Sequence, residues 1–197
     1  MYSRFDRNKH LVDNIPFDIK METLLIGIDF NVMNCNAVVA VKDGDKLFVI
    51  DEITKQNDTD ALAQEIKRRY PNNKILVYPD ASGAARSTIN ASKTDIAILE
   101  GYGFSSMALR SNPPIKDRVQ TLQALLENSK GWVRLAIHAS CRRLIECLEL
   151  QSYDEKSGDP DKQNGYDHLN DALGYLVYRE FNIIHARAGR RTGIRIY

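Results

Sequence analysis

The chain has 197 residues, 43% hydrophobic and 27% charged, enough to bury one sizeable core in an ordinary globular domain. Lysine plus arginine (27) nearly balance aspartate plus glutamate (26), so the net charge of +1 excludes a uniformly basic nucleic-acid binder and leaves any such contact to a local patch. Cys35, Cys141 and Cys147 are widely spaced and form no CxxC pair, which argues against a disulfide framework or a zinc site and fits a reducing cytoplasm. No apolar stretch approaches the ~20 residues of a membrane span, and Met1–Lys20 is too polar for a signal peptide, so a soluble intracellular protein is expected.

Residues 1–22 mix charge, Asn and Pro16 without a sustained period and read as a lead-in or linker segment rather than core; the domain is expected to span residues 23–182. A strand over 24–30 is followed by strands over 36–42 and 46–53, joined by the hairpin turn Asp43-Gly44-Asp45. Asp58-Thr59 caps a helix whose Leu62, Ile66 and Tyr70 share a face and which Pro71 stops. Residues 74–78 form a short apolar strand, with a turn at Asp80-Ala81-Ser82-Gly83. Thr94 caps a short helix ending near Gly101 or Gly103, and 104–109 reads as a strand.

Pro113-Pro114 opens a helix that aligns Val119, Leu122, Leu125 and Leu126; 132–137 is a short strand or extended piece; and 141–150 is a helix with Leu144, Ile145 and Leu148 inward. The polar stretch 153–165 is an exposed loop or hairpin, 166–181 a final helix, and 183–197 a basic, mobile tail. Short turns joining the first strands and helices separating the later ones predict an α/β fold. Its sheet is mixed and five-stranded, antiparallel in its first three strands and then parallel with helical crossovers, flanked by helices.

Three acids stand out. Asp29 ends the apolar run Leu24-Leu25-Ile26-Gly27-Ile28, Asp80 ends Lys74-Ile75-Leu76-Val77-Tyr78-Pro79, and Asp171 lies in Asp167-His168-Leu169-Asn170-Asp171. Ligands in such sheets gather at the carboxyl ends of strands, which puts Asp80 beside the strand that bears Asp29. Each acid has a plain structural alternative: Asp29 as a strand-end acid bonded to backbone amides, Asp80 as turn chemistry, and Asp167 with Asp171 as a solvated helix face serving the first turn's dipole. His168 alone would be a surface or capping histidine. Taken together they point elsewhere, because converged carboxylates need cations between them, and oxygen ligands suit Mg²⁺ or Mn²⁺. Two such ions can activate water and stabilise the leaving oxygen of a phosphodiester.

On these residues the chain resembles the C-terminal nuclease domain of the large terminase subunit of tailed double-stranded DNA bacteriophages, with podovirus-type headful-packaging terminases most alike. The resemblance covers about residues 24–181. It rests on Gly27-Ile28-Asp29-Phe30, Tyr78-Pro79-Asp80-Ala81-Ser82-Gly83, Asn112-Pro113-Pro114-Ile115-Lys116-Asp117-Arg118 and Tyr166-Asp167-His168-Leu169-Asn170-Asp171-Ala172. It implies a ribonuclease-H-like fold and non-sequence-specific, two-metal endonuclease cutting of concatemeric viral DNA in the host cytoplasm. Asp29 would bridge two Mg²⁺ or Mn²⁺ ions, Asp80 and Asp171 would complete the ligands, Asp167 would be an alternate ligand, and His168 would assist catalysis. It further implies an inserted hairpin, matched by 153–165, and as partners double-stranded DNA, the N-terminal terminase ATPase, the portal and the small terminase subunit. No GxxxxGK[ST] phosphate loop occurs, so no ATP site is expected in this chain, which reads as a nuclease fragment.

Lys116 and Arg118 after the Pro-Pro turn, and Arg86 and Lys93 after Asp80, are the candidate phosphate contacts; solvated surface charge is the alternative for each. A PD-(D/E)xK nuclease lacks its acid-x-Lys strand here. A calcium loop around Asp159 fails because its sixth position is Asn164 and its twelfth Asn170. The remaining alternatives are a non-catalytic module that docks DNA or a portal, and another ribonuclease-H-like nuclease such as a junction resolvase.

Overall fold

The structure, a computed structural model, describes residues 1–31, 33–84, 94–154, 158 and 160–181. Its elements in chain order begin with α1 (Arg7–His10), β1 (Leu11–Val12), β2 (Leu24–Asp29), β3 (Cys35–Asp43), β4 (Lys46–Gln56), α2 (Thr59–Arg69) and β5 (Ile75–Pro79). They continue with α3 (Asp95–Gly101), β6 (Ser105–Ser106), α4 (Ile115–Leu126), β7 (Leu135–His138), α5 (Arg142–Leu150) and α6 (Asp167–Phe181). The strands form one seven-stranded sheet in the order β1-β7-β4-β3-β2-β5-β6. Pairing is antiparallel between β2, β3 and β4, and parallel for β5 on β2, β6 on β5, β7 on β4 and β1 on β7.

The expected five strands are β2 to β6, with their expected directions. Two short strands extend the sheet beyond them. β7 docks on the edge offered by β4, and the lead-in segment adds β1 outside β7, with Leu11 opposite Ile137. Residues 1–22 are therefore not outside the core as their composition suggested. Tyr2 is buried among the hydrophobic side chains around α4, and the wholly buried His10 has Nε2 2.9 Å from the Leu126 carbonyl. A buried imidazole satisfied by backbone leaves no periodic signal in the sequence.

β2 is buried on both faces, which is why it reads as a continuous apolar run rather than an alternating one. Leu24, Ile26 and Ile28 pack with α2 and α3, including Leu62, Ile66 and Leu99, whereas Leu25 joins Leu122, Leu144, Leu173 and Leu176 of α4, α5 and α6. Helices thus cover both faces. Asp58 starts α2 by accepting from Ala61 N at 2.8 Å, and Thr94 starts α3 by accepting from Ala97 N at 3.1 Å. The N-cap of α5, Cys141, gives no side-chain bond. Glu52 of β4 does so instead, its two oxygens accepting from Arg143 N at 2.9 Å and Leu144 N at 2.7 Å.

Gly27 is where β2 and α6 touch. A Cβ placed there would lie 2.1 Å from the Ala172 carbonyl oxygen. That contact is with backbone and cannot be relieved by a rotamer change, so Gly27→Ala must push α6 off the sheet. The expected loss is about 2 kcal/mol or more, read as a fall in the urea midpoint; an unchanged midpoint would show that α6 can shift without cost.

Candidate active site

Asp29 closes β2, and Asp80 follows β5 directly, with Ile28 opposite Pro79 in the parallel pair and Asp80 N donating to Ile28 O at 3.0 Å. The sheet register thereby brings the two acids side by side, as their positions at strand ends predict. Because Gly27 faces α6, Asp29 two residues on faces it too, and the first turns of that helix supply Asp167, His168 and Asp171. All five residues line one open cleft of about 310 Å³, together with Asn31, Asn112, Arg118, Lys162 and Tyr175.

Each acid makes different contacts. Asp29 is 6% exposed; its Oδ2 accepts from Asn31 Nδ2 at 2.5 Å and lies 3.1 Å from His168 Nδ1. Burial pushes the Asp29 carboxyl above its ordinary range, opposed by the bond to His168. That bond in turn raises the His168 pKa, against the lowering effect of burial. Asn31 Nδ2 is also 3.1 Å from His168 Nδ1, but a ring nitrogen cannot donate and accept at once. Donation from Nδ1 to Asp29 is the pairing that favours the protonated ring.

Asp80 Oδ1 accepts from Ser82 N at 2.8 Å and from Asn112 Nδ2 at 2.5 Å, while Asn112 Oδ1 accepts from Ala81 N at 2.9 Å. Asp80 is therefore both a turn residue and a cleft residue, and the two readings of it are compatible. Asp171 Oδ1 accepts from Arg118 Nη1 at 2.8 Å. Burial pushes the Asp171 carboxyl up, with Arg118 pulling it back. Asp167 is 5% exposed and its Oδ1 is buried without a hydrogen-bond partner, the His168 Nδ1 being 3.9 Å away.

Among the described residues, no three His, Cys, Asp or Glu side chains converge closely enough to share a metal ion. Asp29, Asp80 and Asp171 each satisfy an oxygen with a protein donor instead. The donor set still fits a hard divalent cation: four carboxylates line one cleft, and a buried carboxylate oxygen without a hydrogen-bond donor is an energetic liability that a cation would remove.

The candidate phosphate contacts fare unequally. Lys116 is exposed on α4. Arg118 is 5% exposed, pairs with Asp171 and lies 4.4 Å from the Tyr175 ring centre, so it is a cleft residue and not a rim contact for passing phosphates. Arg86, Lys93 and the basic tail lie outside the described residues. Within 153–165, Tyr153 and Pro160 form one antiparallel bridge. No role for Asn31, Asn112, Lys162 or Tyr175 follows from residue type and spacing alone. Asn31 lies two residues from Asp29, Lys162 follows Asp161 and Tyr175 comes one helical turn after Asp171 on α6, whereas Asn112 has no acid within four residues in the chain.

Antiparallel strands β2 to β4 continued by parallel β5 and β6, with acids at the ends of β2 and β5 and on the last helix, define a ribonuclease-H-like α/β domain. Residues 26–180 match the terminase RNaseH-like domain family, and the chain belongs to that family. Among solved structures it is similar to the large terminase of the thermophilic bacteriophage D6E (18% identity, TM-score 0.71, 91% of this chain and 45% of that one). It is similar also to the phage P22 large terminase nuclease domain (16%, 0.68, 90% and 92%). A third is the large terminase nuclease domain from bacteriophage SPP1 with bound Mn (18%, 0.56, 86% and 95%). The chain thus spans 45% of the D6E protein's length. No curated protein matches it. No described helix is long and apolar enough to cross a membrane.

Proposed function

We propose that the chain is the nuclease part of a phage DNA-packaging terminase, a metal-dependent and largely non-sequence-specific endonuclease that cuts concatemeric viral DNA in the host cytoplasm. The observation that carries this reading is the cleft itself. Asp29, Asp80, Asp167, Asp171 and His168 face one another across it, in a chain of the terminase RNaseH-like family. The Mn-bound SPP1 nuclease domain supports divalent-ion use. In this reading two Mg²⁺ or Mn²⁺ ions are held by Asp29, Asp80 and Asp171, with Asp167 as a further ligand. Bound there, they supply Lewis-acid stabilisation of the phosphodiester oxygens and a more acidic water.

The chain's own groups do the rest. Asn31 and His168 fix the Asp29 carboxylate and Asn112 fixes Asp80 beside it, so the carboxylates are oriented before substrate arrives. With Nδ1–H given to Asp29, His168 keeps Nε2 as the atom that takes or gives a proton at the reacting oxygens. Lys162 at the rim and Lys116 on α4 meet flanking phosphates. By the same family reading the 153–165 segment guides the duplex, and the ATPase domain, portal and small subunit deliver it. A net charge of +1 predicts weak, salt-sensitive binding of free DNA.

The test is cleavage of supercoiled plasmid by the purified chain in EDTA, Mg²⁺ or Mn²⁺, beside an Asp80→Asn control. Nicking that requires the metal and disappears in the control is the expected result. No cutting by wild-type protein that is folded and saturated with Mn²⁺ would refute an autonomous nuclease.

A further inference from the structure

Arg118 is the one buried lysine or arginine side chain among the described residues, and it lies beside the acidic cleft. Its place follows from the fold: it projects from the first turns of α4 towards α6, where Gly174 presents no side chain and Arg118 Cβ approaches to 3.6 Å of the position a Cβ would take. Nη1 donates to Asp171 Oδ1 at 2.8 Å, the guanidinium stacks 4.4 Å from the Tyr175 ring centre, and Nε is buried without a partner. Asp171 Oδ2 accepts no hydrogen bond among the described residues.

Burying a guanidinium is costly even when paired, and an unpartnered Nε adds to the cost. Stability alone does not account for such a group, because apolar residues of similar volume often pack as well. Its charge is also permanent. Unlike a lysine or histidine, an arginine does not lose its proton when a cation enters nearby.

We infer that Arg118 is a positioning residue and a fixed counter-charge. It grips Asp171 by one oxygen, presents the other to the cleft, and keeps divalent-cation binding on that side weak until the phosphates of bound DNA add negative charge. Full metal loading would then coincide with substrate, which restrains an otherwise unspecific nuclease. The inference rests on reading the cleft as a cation site.

Mn²⁺ binding to the DNA-free chain, measured by calorimetry, separates this role from a structural one. Arg118→Gln keeps a donor and removes the charge; it is expected to bind Mn²⁺ about tenfold more tightly, because a unit charge at near-contact range no longer opposes the ion. Arg118→Lys keeps the charge and is expected to match wild type. A purely structural Arg118 gives the opposite sign, since a loosened Asp171 binds more weakly. Unchanged or weaker binding by folded Arg118→Gln, with wild type binding normally, overturns the counter-charge alone. Wild type that binds no Mn²⁺ overturns the metal reading along with it. Arg118→Met replaces the Gln variant, with the same expectation, if that protein does not fold.

Discussion

Asp29→Asn is expected to reduce metal-dependent nicking by about 1,000-fold, close to 4 kcal/mol of transition-state stabilisation, and at the same time to raise the melting temperature of the metal-free protein. The first effect follows from losing the charge of the carboxylate proposed to bridge the ions. The second follows from burial. A carboxyl whose pKa in the folded state lies above the unfolded value contributes its stability below the ordinary carboxylate range, and loses it as pH rises through the folded pKa. At neutral pH the ionised, buried Asp29 is therefore a net burden that an amide of the same shape does not carry. The gain is of the order of 1 kcal/mol, about 2–4 °C for a chain of this size, and it should grow as the pH is raised from about 4 to 7. Thermal melts in EDTA check it. A variant that melts below wild type at neutral pH would refute the burial argument, whatever its activity.

Asp171→Asn is expected to lose cleavage as well but to move stability the other way. Burial raises the Asp171 carboxyl as it raises Asp29, but its partner is a buried guanidinium that cannot shed its proton as His168 can beside Asp29; losing the pair therefore outweighs the relief, and an uncompensated buried charge costs about 3 kcal/mol, or roughly 6 °C or more here. The amide oxygen still accepts one hydrogen bond, so the loss is of charge rather than of contact. Asp167→Asn should harm cleavage less than Asp171→Asn and should not destabilise the metal-free protein, because Asp167 Oδ1 accepts no hydrogen bond and meets His168 Nδ1 only at 3.9 Å. If Asp171→Asn melts at or above wild type, the Arg118 pair is not what holds that side of the cleft together. Equal cleavage defects at 167 and 171 would undo the ranking of these two acids.

The parts of this molecule that were legible beforehand are those written in local pattern. The apolar runs ending in Asp29 and Asp80, the Asp-Gly turn, the Asp58 and Thr94 caps and the four-residue spacing on α6 each leave a short-range trace, and their elements fall within a few residues of expectation. Bringing Asp29 beside Asp80 needed only the rule that parallel neighbours end together. Beyond β4 the sheet is legible only in part, β7 as a short strand or extended piece and β1 not at all. β1 and β7 pair over two residues, and nothing local in Leu11-Val12 distinguishes a strand there from a linker. Arg118 misled for a related reason: residue type favours a solvated arginine, and only the tertiary approach of α4 to α6 turns it inward. Asn31 and Asn112 carry no charge and no period, so their grip on the two strand-end acids emerges only with the coordinates.

The Gly27–Ala172 contact also sets how this domain tolerates change. The span from the first acid to the last helix is fixed at one point by main-chain atoms, which every amino acid has, and not by the fit of particular side chains. Leu24, Ile26 and Ile28, on the other face of β2, can be exchanged for other aliphatics of like volume without moving Asp29 relative to His168. A randomised library that holds position 27 at glycine and varies those three should retain the cleft in many members, whereas one that frees position 27 should lose it in nearly all.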